Sequence, residues 1–429
     1  MAKVIQIALD FVDLPRALKA AREAIKGGAD WLEVGTPLIK SCGLDAVRAM
    51  RREFPKIPIV ADMKVLDTGR TEVEIAAKAG ADIVIVMGNA DDRTIAEALE
   101  AGKNFGVRIC VDLLGDACNV ERAKEVAELG PSYIGVHIPV DLQMSGRASF
   151  DIVREIASAV NIPIAVAGGL NSETILDAAR AGASIFVVGG AVTKSENATK
   201  AVRTLKKALS EGKKIRSLLY KRVSFENIGD VLGVVSTANI SDAMHRRGWL
   251  PEIKPIFPSL RCFGPCVTVK TFPGDWAKPV EAVDMAKPGE VIMIDAAGFP
   301  PAVWGELATW SAVTKKLGGV VINGAIRDTS AIKETGFSAF AKHISPQAGE
   351  PDGIGQINVP VSVGPVRIQP GDWLVGDDDG VVCIPQERVV EVANRAMDVL
   401  EKENRLRKEI RQGGTLSRIT EVLKWEKRK

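Results

Sequence analysis

The chain has 429 residues, 46% hydrophobic and 26% charged, a size and composition suited to two globular domains. Lys and Arg total 56 against 54 Asp and Glu, and a net charge of +2 argues against nucleic-acid binding by bulk charge. No apolar run reaches the length of a membrane span, "MAKVIQIALD" does not read as a secretory leader, and six scattered cysteines fit reduced thiols, so a cytoplasmic protein is expected.

From the N-terminus, "VIQIAL" reads as a buried strand ending at Asp10. "KGGADWLEVG" at 26, "KAGADIVIVMG" at 78 and "RAGASIFVVGG" at 180 then share one pattern of a basic residue, a Gly, a small residue and an apolar run. That is a helix closed by a Gly C-cap, a tight turn and a buried strand. "IPIVAD", "VRICVD", "YIGVHI" and "IPIAVAGG" complete eight strands between residue 4 and about residue 210, separated by Ala-, Glu-, Lys- and Arg-rich helical segments. Eight βα units in roughly 200 residues predict a (β/α)8 TIM barrel, with a doubly wound sheet as the alternative.

A TIM barrel works at the C-terminal ends of its strands. There the sequence places Asp10, Glu33, Asp62 with Lys64, Asp112 and His137. Any one acid could simply cap the next helix; five ionisable strand ends together predict a shared site. Glu33 and Asp62 suit a hard divalent cation such as Mg²⁺. Lys64, in "ADMKVLDTG", is expected to be held between Asp62 and Asp67 and to stay protonated, ready to stabilise an oxyanion or to donate a proton. Strands seven and eight end in Gly168–Gly169 and Gly189–Gly190, which fit backbone binding of a phosphate.

The segments "IALD", "WLEVGTPLIKSCG", "ADMKVLDTG", "GVHIPVDLQMSG", "VAGGL" and "IFVVGGAVT" resemble the orotidine monophosphate decarboxylase superfamily, and within it the 3-hexulose-6-phosphate synthases. The sister 3-keto-L-gulonate-6-phosphate decarboxylases, the alternative for this half, typically carry an Arg three residues after the strand-six His, where this chain has Val140. The resemblance implies aldol addition of formaldehyde to D-ribulose 5-phosphate, or its reverse. It further implies Glu33 and Asp62 on Mg²⁺ (or Mn²⁺), and Lys64 on the enediolate. His137 would transfer protons, and Asp10 and Asp112 would bind substrate. The Gly pairs would hold the phosphate, and Asp67 would reach the site of a partner in a dimer.

After residue 206 the pattern changes. "KALSEGKKIRSLLYKRVS" reads as the end of the last barrel helix and a linker, giving a barrel domain over 1–210, a linker over 211–224 and a second domain over 225–429. "STANISDAM" predicts a helix capped by Ser236 or Thr237. "CVTVKTF", "GEVIMIDA", "GGVVING", "INVPVSV" and "DWLVGDDDGVVCIP" predict strands, several joined as hairpins, with the βα repeat lost. "GDDDG" reads as a hairpin turn, lacking the spacing of a calcium loop. Cys262 and Cys266 have no second pair or His cluster to complete a zinc site. The helix start at Gly305, Glu306 and Leu307 offers N–H groups to a carboxylate, Arg327 can hold one in bidentate fashion, and Asp328 can hold a metal. A purely structural Arg–Asp pair is the competing reading. The charged C-terminal stretch, broken at Gly413 and Gly414, reads as a solvated helix pair.

"STANISDAM", "TVKTFPGD", "KPGEVIMIDAAG", "GELA", "GAIRD" and "PGDWLVGDDDGVVCIP" resemble the RraA-like family, which includes 4-hydroxy-4-methyl-2-oxoglutarate aldolases. The resemblance implies a swivelling β/β/α fold and trimers. It implies either a second metal-dependent 2-oxo acid aldolase or decarboxylase, or a non-catalytic binding, regulatory or oligomerisation module. Those aldolases usually carry an acid three residues after the Asp of Arg-Asp; Ala331 stands there. A homo-oligomer is implied for the fusion; neither a membrane nor a nucleic-acid partner is expected.

Overall fold

The structure is a computed structural model, and it describes residues 3–138, 144, 150–216 and 222–420. Two compact units emerge, one of Met1–Arg222 with Glu401–Lys429 and the other of Val223–Leu400. The stretch from 401 onward, grouped by sequence with the second domain, falls with the first unit.

Eight parallel strands close into a barrel: β1 (Val4–Leu9), β2 (Trp31–Val34), β3 (Ile59–Val65), β4 (Ile83–Met87), β5 (Arg108–Leu113), β6 (Tyr133–His137), β7 (Ile164–Ala167) and β8 (Ile185–Val188). β8 pairs back onto β1, which excludes the doubly wound alternative. The repeated sequence turn has the expected cause. Gly28, Gly80 and Gly182 take φ of 96°, 104° and 106°, the left-handed region that ends each helix and reverses the chain into the next strand. The helix Leu14–Gly27 shows the rest of the unit. Asp13 caps it by accepting from the Arg16 N–H at 2.9 Å, and Ala17, Ala20, Ala21 and Ala24 are buried.

Inside the barrel, alternation layers the side chains. Val60, Ile83, Ile85 and Cys110 pack with Trp31 and Tyr133. The Arg108 guanidinium lies 5.4 Å from the Trp31 ring and 5.5 Å from the Tyr133 ring. Two residues beyond Cys110 on β5 comes Asp112, so the same inward face passes from apolar to charged at the strand's C-terminal end.

The second unit holds a mixed sheet in the order β18-β17-β10-β11-β12-β13-β9, with β14 beside β10. Its strands are β9 (Lys254–Pro255), β10 (Cys262–Thr271), β11 (Val291–Asp295), β12 (Gly319–Ile326), β13 (Ala339–Ile344), β14 (Gly355–Ile357), β17 (Trp373–Asp377) and β18 (Gly380–Ile384); β15 (Val361–Val363) and β16 (Val366–Ile368) form a separate ribbon. Hairpin pairing holds for β17 and β18 across "GDDDG". For the centre of the sheet it is wrong: β10 to β13 run parallel, with helices Ala277–Met285, Glu306–Thr314 and Thr329–Thr335 as the connections. The βα alternation therefore persists, and "KPGEVIMID" at 287 and "KLGGVVING" at 316 keep the Lys-x-Gly spacing of the first half. Ser236, and not Thr237, caps the helix Thr237–Ala243, through a reciprocal box with Asn239. The Asp377 carboxylate accepts from the Thr237 N–H and hydroxyl, which fixes the acidic turn to the fold.

The C-terminal helix runs Val389–Arg411, and Gly413 breaks it at φ 98°. Its solvated reading fails at Glu401 and Arg405, which are 1% and 4% exposed.

Candidate functional site

The charged layer of the barrel brings four predicted residues together, with two carboxylates on one ammonium. Lys64 Nζ donates to Asp112 Oδ2 at 2.7 Å and lies 3.1 Å from Asp62 Oδ1. His137 Nδ1 lies 3.6 Å from the same Asp112 oxygen. The expected clamp on Lys64 is thus corrected. Its partners are Asp62 and Asp112, whereas Asp67 is exposed and accepts from the Thr68 N–H at 2.6 Å. The cause is local: Lys64 takes φ 50°, and the pairing of β3 with β4 shifts register between Ala61 and Val65. Such an irregularity re-aims a side chain at a strand end.

The electrostatics follow from burial and neighbours. Burial works against Lys64, yet Asp112 and then Asp62 outweigh it and hold the ammonium well above the usual lysine range. Burial likewise opposes Asp112, but its contacts with His137 and Lys64 lower its carboxyl to about 2. Asp112 fits because Gly135 stands opposite it on β6; a Cβ there would lie 2.7 Å from Asp112 Oδ1.

The other acids are pushed the opposite way. Glu33 is raised well above the carboxylate range, first by burial and then by Asp62 and Asp10, although Gln6 donates to it. Asp10, at the mouth, is raised by desolvation and by Asp62. The Asp62 Oδ2 lies 2.8 Å from the Thr36 hydroxyl, while its buried Oδ1 has no hydrogen-bond partner beyond the nearby ammonium. Glu33 and Asp10, both raised beside Asp62, together with the open Asp62 Oδ1, fit a divalent cation. Among the described residues no three His, Cys, Asp or Glu side chains form a complete metal cage. An ion here would therefore share Glu33 and Asp62 with water and substrate oxygens, as Mg²⁺ commonly does.

The Gly pairs lie on neighbouring loops. Gly168 and Gly169 take φ of 103° and 68°, and the Gly169 carbonyl accepts from Thr174 Oγ1 at 2.8 Å. Gly189 precedes the short helix Gly190–Thr193. A Cβ on Gly189 would lie 3.5 Å from Asp10 Oδ2, and one on Gly190 would lie 3.4 Å from Lys194 Nζ. The glycine turns, Asp10 and a lysine thus meet at one side of the mouth. Val140 lies outside the described residues.

Sequence reading missed Gln6, Thr36, Lys194 and Gly135. Gln6 carried a signal, being the one polar residue within "VIQIAL" and on the same face as Asp10. The other three become visible only through partners distant in sequence.

In the second unit the predicted residues also converge. The Glu306 N–H donates to Asp328 Oδ2 at 3.2 Å, and Arg327 Nε lies 3.3 Å from the same oxygen. Gly305 leaves the room; a Cβ there would lie 2.5 Å from Asp328 Oδ2. The helix start therefore meets a carboxylate of its own chain at Glu306, so that N–H is not open to a ligand. Leu307 is 80% exposed. Cys262 and Cys266 are buried thiols that burial pushes up to about 12.

Comparison with known proteins bears on both halves. A family model described as orotidine 5′-phosphate decarboxylase / HUMPS family matches residues 3–205, and one described as Aldolase/RraA matches residues 237–383. A 3-hexulose-6-phosphate synthase of Bacillus subtilis (strain 168) is 35% identical over 209 residues, which cover 48% of this chain and 99% of that protein. One of Mycobacterium gastri is 36% identical over 208 residues, with the same coverage of 48% and 99%. A crystal structure of a 3-hexulose-6-phosphate synthase aligns at 36% identity over 48% of this chain and 99% of its own, with a TM-score of 0.46. No helix among the described residues is long and apolar enough to cross a membrane.

Proposed function

The chain belongs, through its barrel, to the orotidine 5′-phosphate decarboxylase / HUMPS family, and we propose that the barrel joins formaldehyde to D-ribulose 5-phosphate, giving D-arabino-hex-3-ulose 6-phosphate, or runs the reverse. The observation that carries this is the Lys64 ammonium held by Asp112 and Asp62 beside His137. A fixed cation at a strand end suits a reaction that develops negative charge on a sugar oxygen.

A bound Mg²⁺ or Mn²⁺, held by Glu33 and Asp62, would supply further positive charge to that oxygen. The chain's own residues do the rest. A proton leaves C1 of ribulose 5-phosphate, Lys64 stabilises the resulting enediolate, and C1 forms a bond with the formaldehyde carbon. The new alkoxide then takes a proton. His137 serves proton transfer, with Asp112 facing its Nδ1. Asp10 binds substrate hydroxyls. The glycine turns at 168–169 and 189–190 hold the phosphate. Asp67 serves the site of a second copy of the chain, which makes the barrel dimeric.

The test supplies full-length protein with ribulose 5-phosphate, formaldehyde and Mg²⁺ and follows hexulose 6-phosphate. No product, together with decarboxylation of 3-keto-L-gulonate 6-phosphate, would replace this reading with that of the sister decarboxylases.

For the second unit the reading is a metal-dependent aldolase or decarboxylase of a 2-oxo acid, with Arg327 on the substrate carboxylate and Asp328 on the metal. The convergence of Gly305, Glu306, Arg327 and Asp328 supports it. A non-catalytic trimerising module is the outcome if oxaloacetate and 4-hydroxy-2-oxo acids are left untouched.

A further inference from the structure

The turn that follows β8 is gripped by a helix that lies beyond the family match at residues 3–205. Gly189 and Gly190 open a single helical turn whose Thr193 and Lys194 N–H groups bond back to their carbonyls at 3.0 Å. The next two residues, Ser195 and Glu196, lead to Asn197, which caps the final barrel helix by accepting from the Lys200 N–H at 2.9 Å. Both intervening carbonyls are taken by the C-terminal helix. Arg405 Nη1 donates to the Ser195 carbonyl at 3.1 Å, and Lys408 Nζ donates to that of Glu196.

Arg405 is itself fixed. Its guanidinium binds the Glu23 carboxylate in a fork, at 2.9 and 3.4 Å, and Glu409 at 3.1 Å. Arg16 holds Glu409 from the other side at 3.4 Å. Helix Leu14–Gly27, which carries Glu23 and Arg16, thus anchors the guanidinium that grips the turn. A buried ion pair contributes little net stability compared with apolar packing, but once formed it fixes geometry. The matched Bacillus subtilis synthase is covered to 99% by 209 residues of this chain, and the family match ends at residue 205. The Arg405 helix therefore has no counterpart in that relative.

We propose that Arg405, assisted by Lys408, is a positioning residue for the phosphate-binding turn at Gly189–Gly190. The C-terminal helix thereby sets the barrel's affinity for its phosphorylated substrate. This rests on the reading that the turn holds the phosphate. The grip acts two residues past the turn's own helix, so loosening it shifts the glycine N–H groups and Lys194 together. Lys64, Asp112 and His137 stand on other strands and stay in place.

The test uses the full chain with Arg405→Ala, Arg405→Lys and Lys408→Ala, and Arg407→Ala on the same helix as control. For Arg405→Ala, KM for ribulose 5-phosphate and the inhibition constant of inorganic phosphate should rise about tenfold, with kcat within about twofold of wild type. Arg405→Lys should fall between, Lys408→Ala should show about threefold, and Arg407→Ala no change. An unchanged phosphate constant in folded Arg405→Ala, or a fall in kcat at constant KM, overturns the proposal. Should Arg405→Ala fail to fold, Lys408→Ala decides, and an unchanged phosphate constant there overturns it. Calorimetric titration with inorganic phosphate reads the same effect without turnover. Wild type that binds phosphate but leaves ribulose 5-phosphate unreacted sinks the functional reading alone; wild type that binds no phosphate sinks this one.

Discussion

Lys64 and Asp112 form an ion pair of 2.7 Å across the mouth of the barrel, although 48 positions separate them in the chain. The pair sorts the acids of the site into two groups. Asp112 is stabilised as a carboxylate by the cation and by His137, while Glu33 and Asp10 are left as acids crowded by other acids. One group fixes the Lys64 ammonium beside His137; the other leaves acids whose mutual repulsion a bound cation would relieve.

Asp112→Asn keeps the shape of the side chain and removes its charge. Lys64 then loses its strongest partner and His137 its orienting acid. The expected loss in kcat is on the order of 10²-fold, with Lys64→Ala on the order of 10³-fold and the double variant little worse than Lys64→Ala, because the residues act as a unit. Steady-state rates of hexulose 6-phosphate formation check this. Independent, multiplying losses would show that the pair is structural only.

Gly135→Ala probes the same relationship through sterics. The added methyl would stand 2.7 Å from Asp112 Oδ1 and must displace the carboxylate from Lys64 and His137. Stability should fall by about 1–3 kcal/mol, as for other overpacked sites. Activity should fall about as far as in Asp112→Asn. A variant that melts normally and retains full activity would show that the carboxylate can move without consequence.

The two groups of acids also titrate with opposite sign. The Asp112 carboxyl is lowered to about 2, below its unfolded value of about 3.9, so its contribution is present above about pH 4 and is lost as pH falls toward 2. Glu33 is raised, so in metal-free protein its contribution is greatest below the unfolded carboxylate value and is lost as pH rises through the folded one. Glu33→Gln should therefore stabilise metal-free protein at neutral pH by about 1 kcal/mol. Mg²⁺ at a hundredfold excess over its dissociation constant should stabilise wild type by about 2.7 kcal/mol and Glu33→Gln far less. Thermal melts against pH, with and without Mg²⁺, read both. Equal Mg²⁺ shifts in the two proteins would place the ion elsewhere.

How much of this could be read from sequence depended on how local each cause was. The barrel was legible because three of its units repeat one helix stop and turn within about ten residues, and its other strands are similar apolar runs at similar spacing. Asp62, Lys64, Asp112 and His137 were singled out because strand ends are the working end of a barrel, and the structure brings the four together. The partner of Lys64 was not legible, because alternation assumes a regular strand and the left-handed Lys64 breaks it. Arg405 was hidden for another reason. Its helix carries charge throughout and looks solvated, while the Glu23 that buries it stands 382 positions away. The parallel centre of the second sheet was missed although "KPGEVIMID" and "KLGGVVING" carry the same Lys-x-Gly spacing, because those glycines also fit hairpin turns.

The second unit makes a separate prediction from its own geometry. Asp328 takes φ 58°, and its Oδ2 receives the Glu306 N–H at 3.2 Å with Arg327 Nε at 3.3 Å. If the unit acts as proposed, Asp328 Oδ1 would meet the cation and the rest of the Arg327 fork would meet the substrate carboxylate. With oxaloacetate and Mg²⁺, Asp328→Ala should lose essentially all turnover. Arg327→Lys should raise KM about tenfold or more, because a lysine cannot reproduce the bidentate fork. Neither change should alter hexulose 6-phosphate formation by the barrel, since each lies in the other compact unit. If wild type and Asp328→Ala are equally inert toward oxaloacetate and 4-hydroxy-2-oxo acids, the Arg–Asp pair is structural and the unit is a binding module.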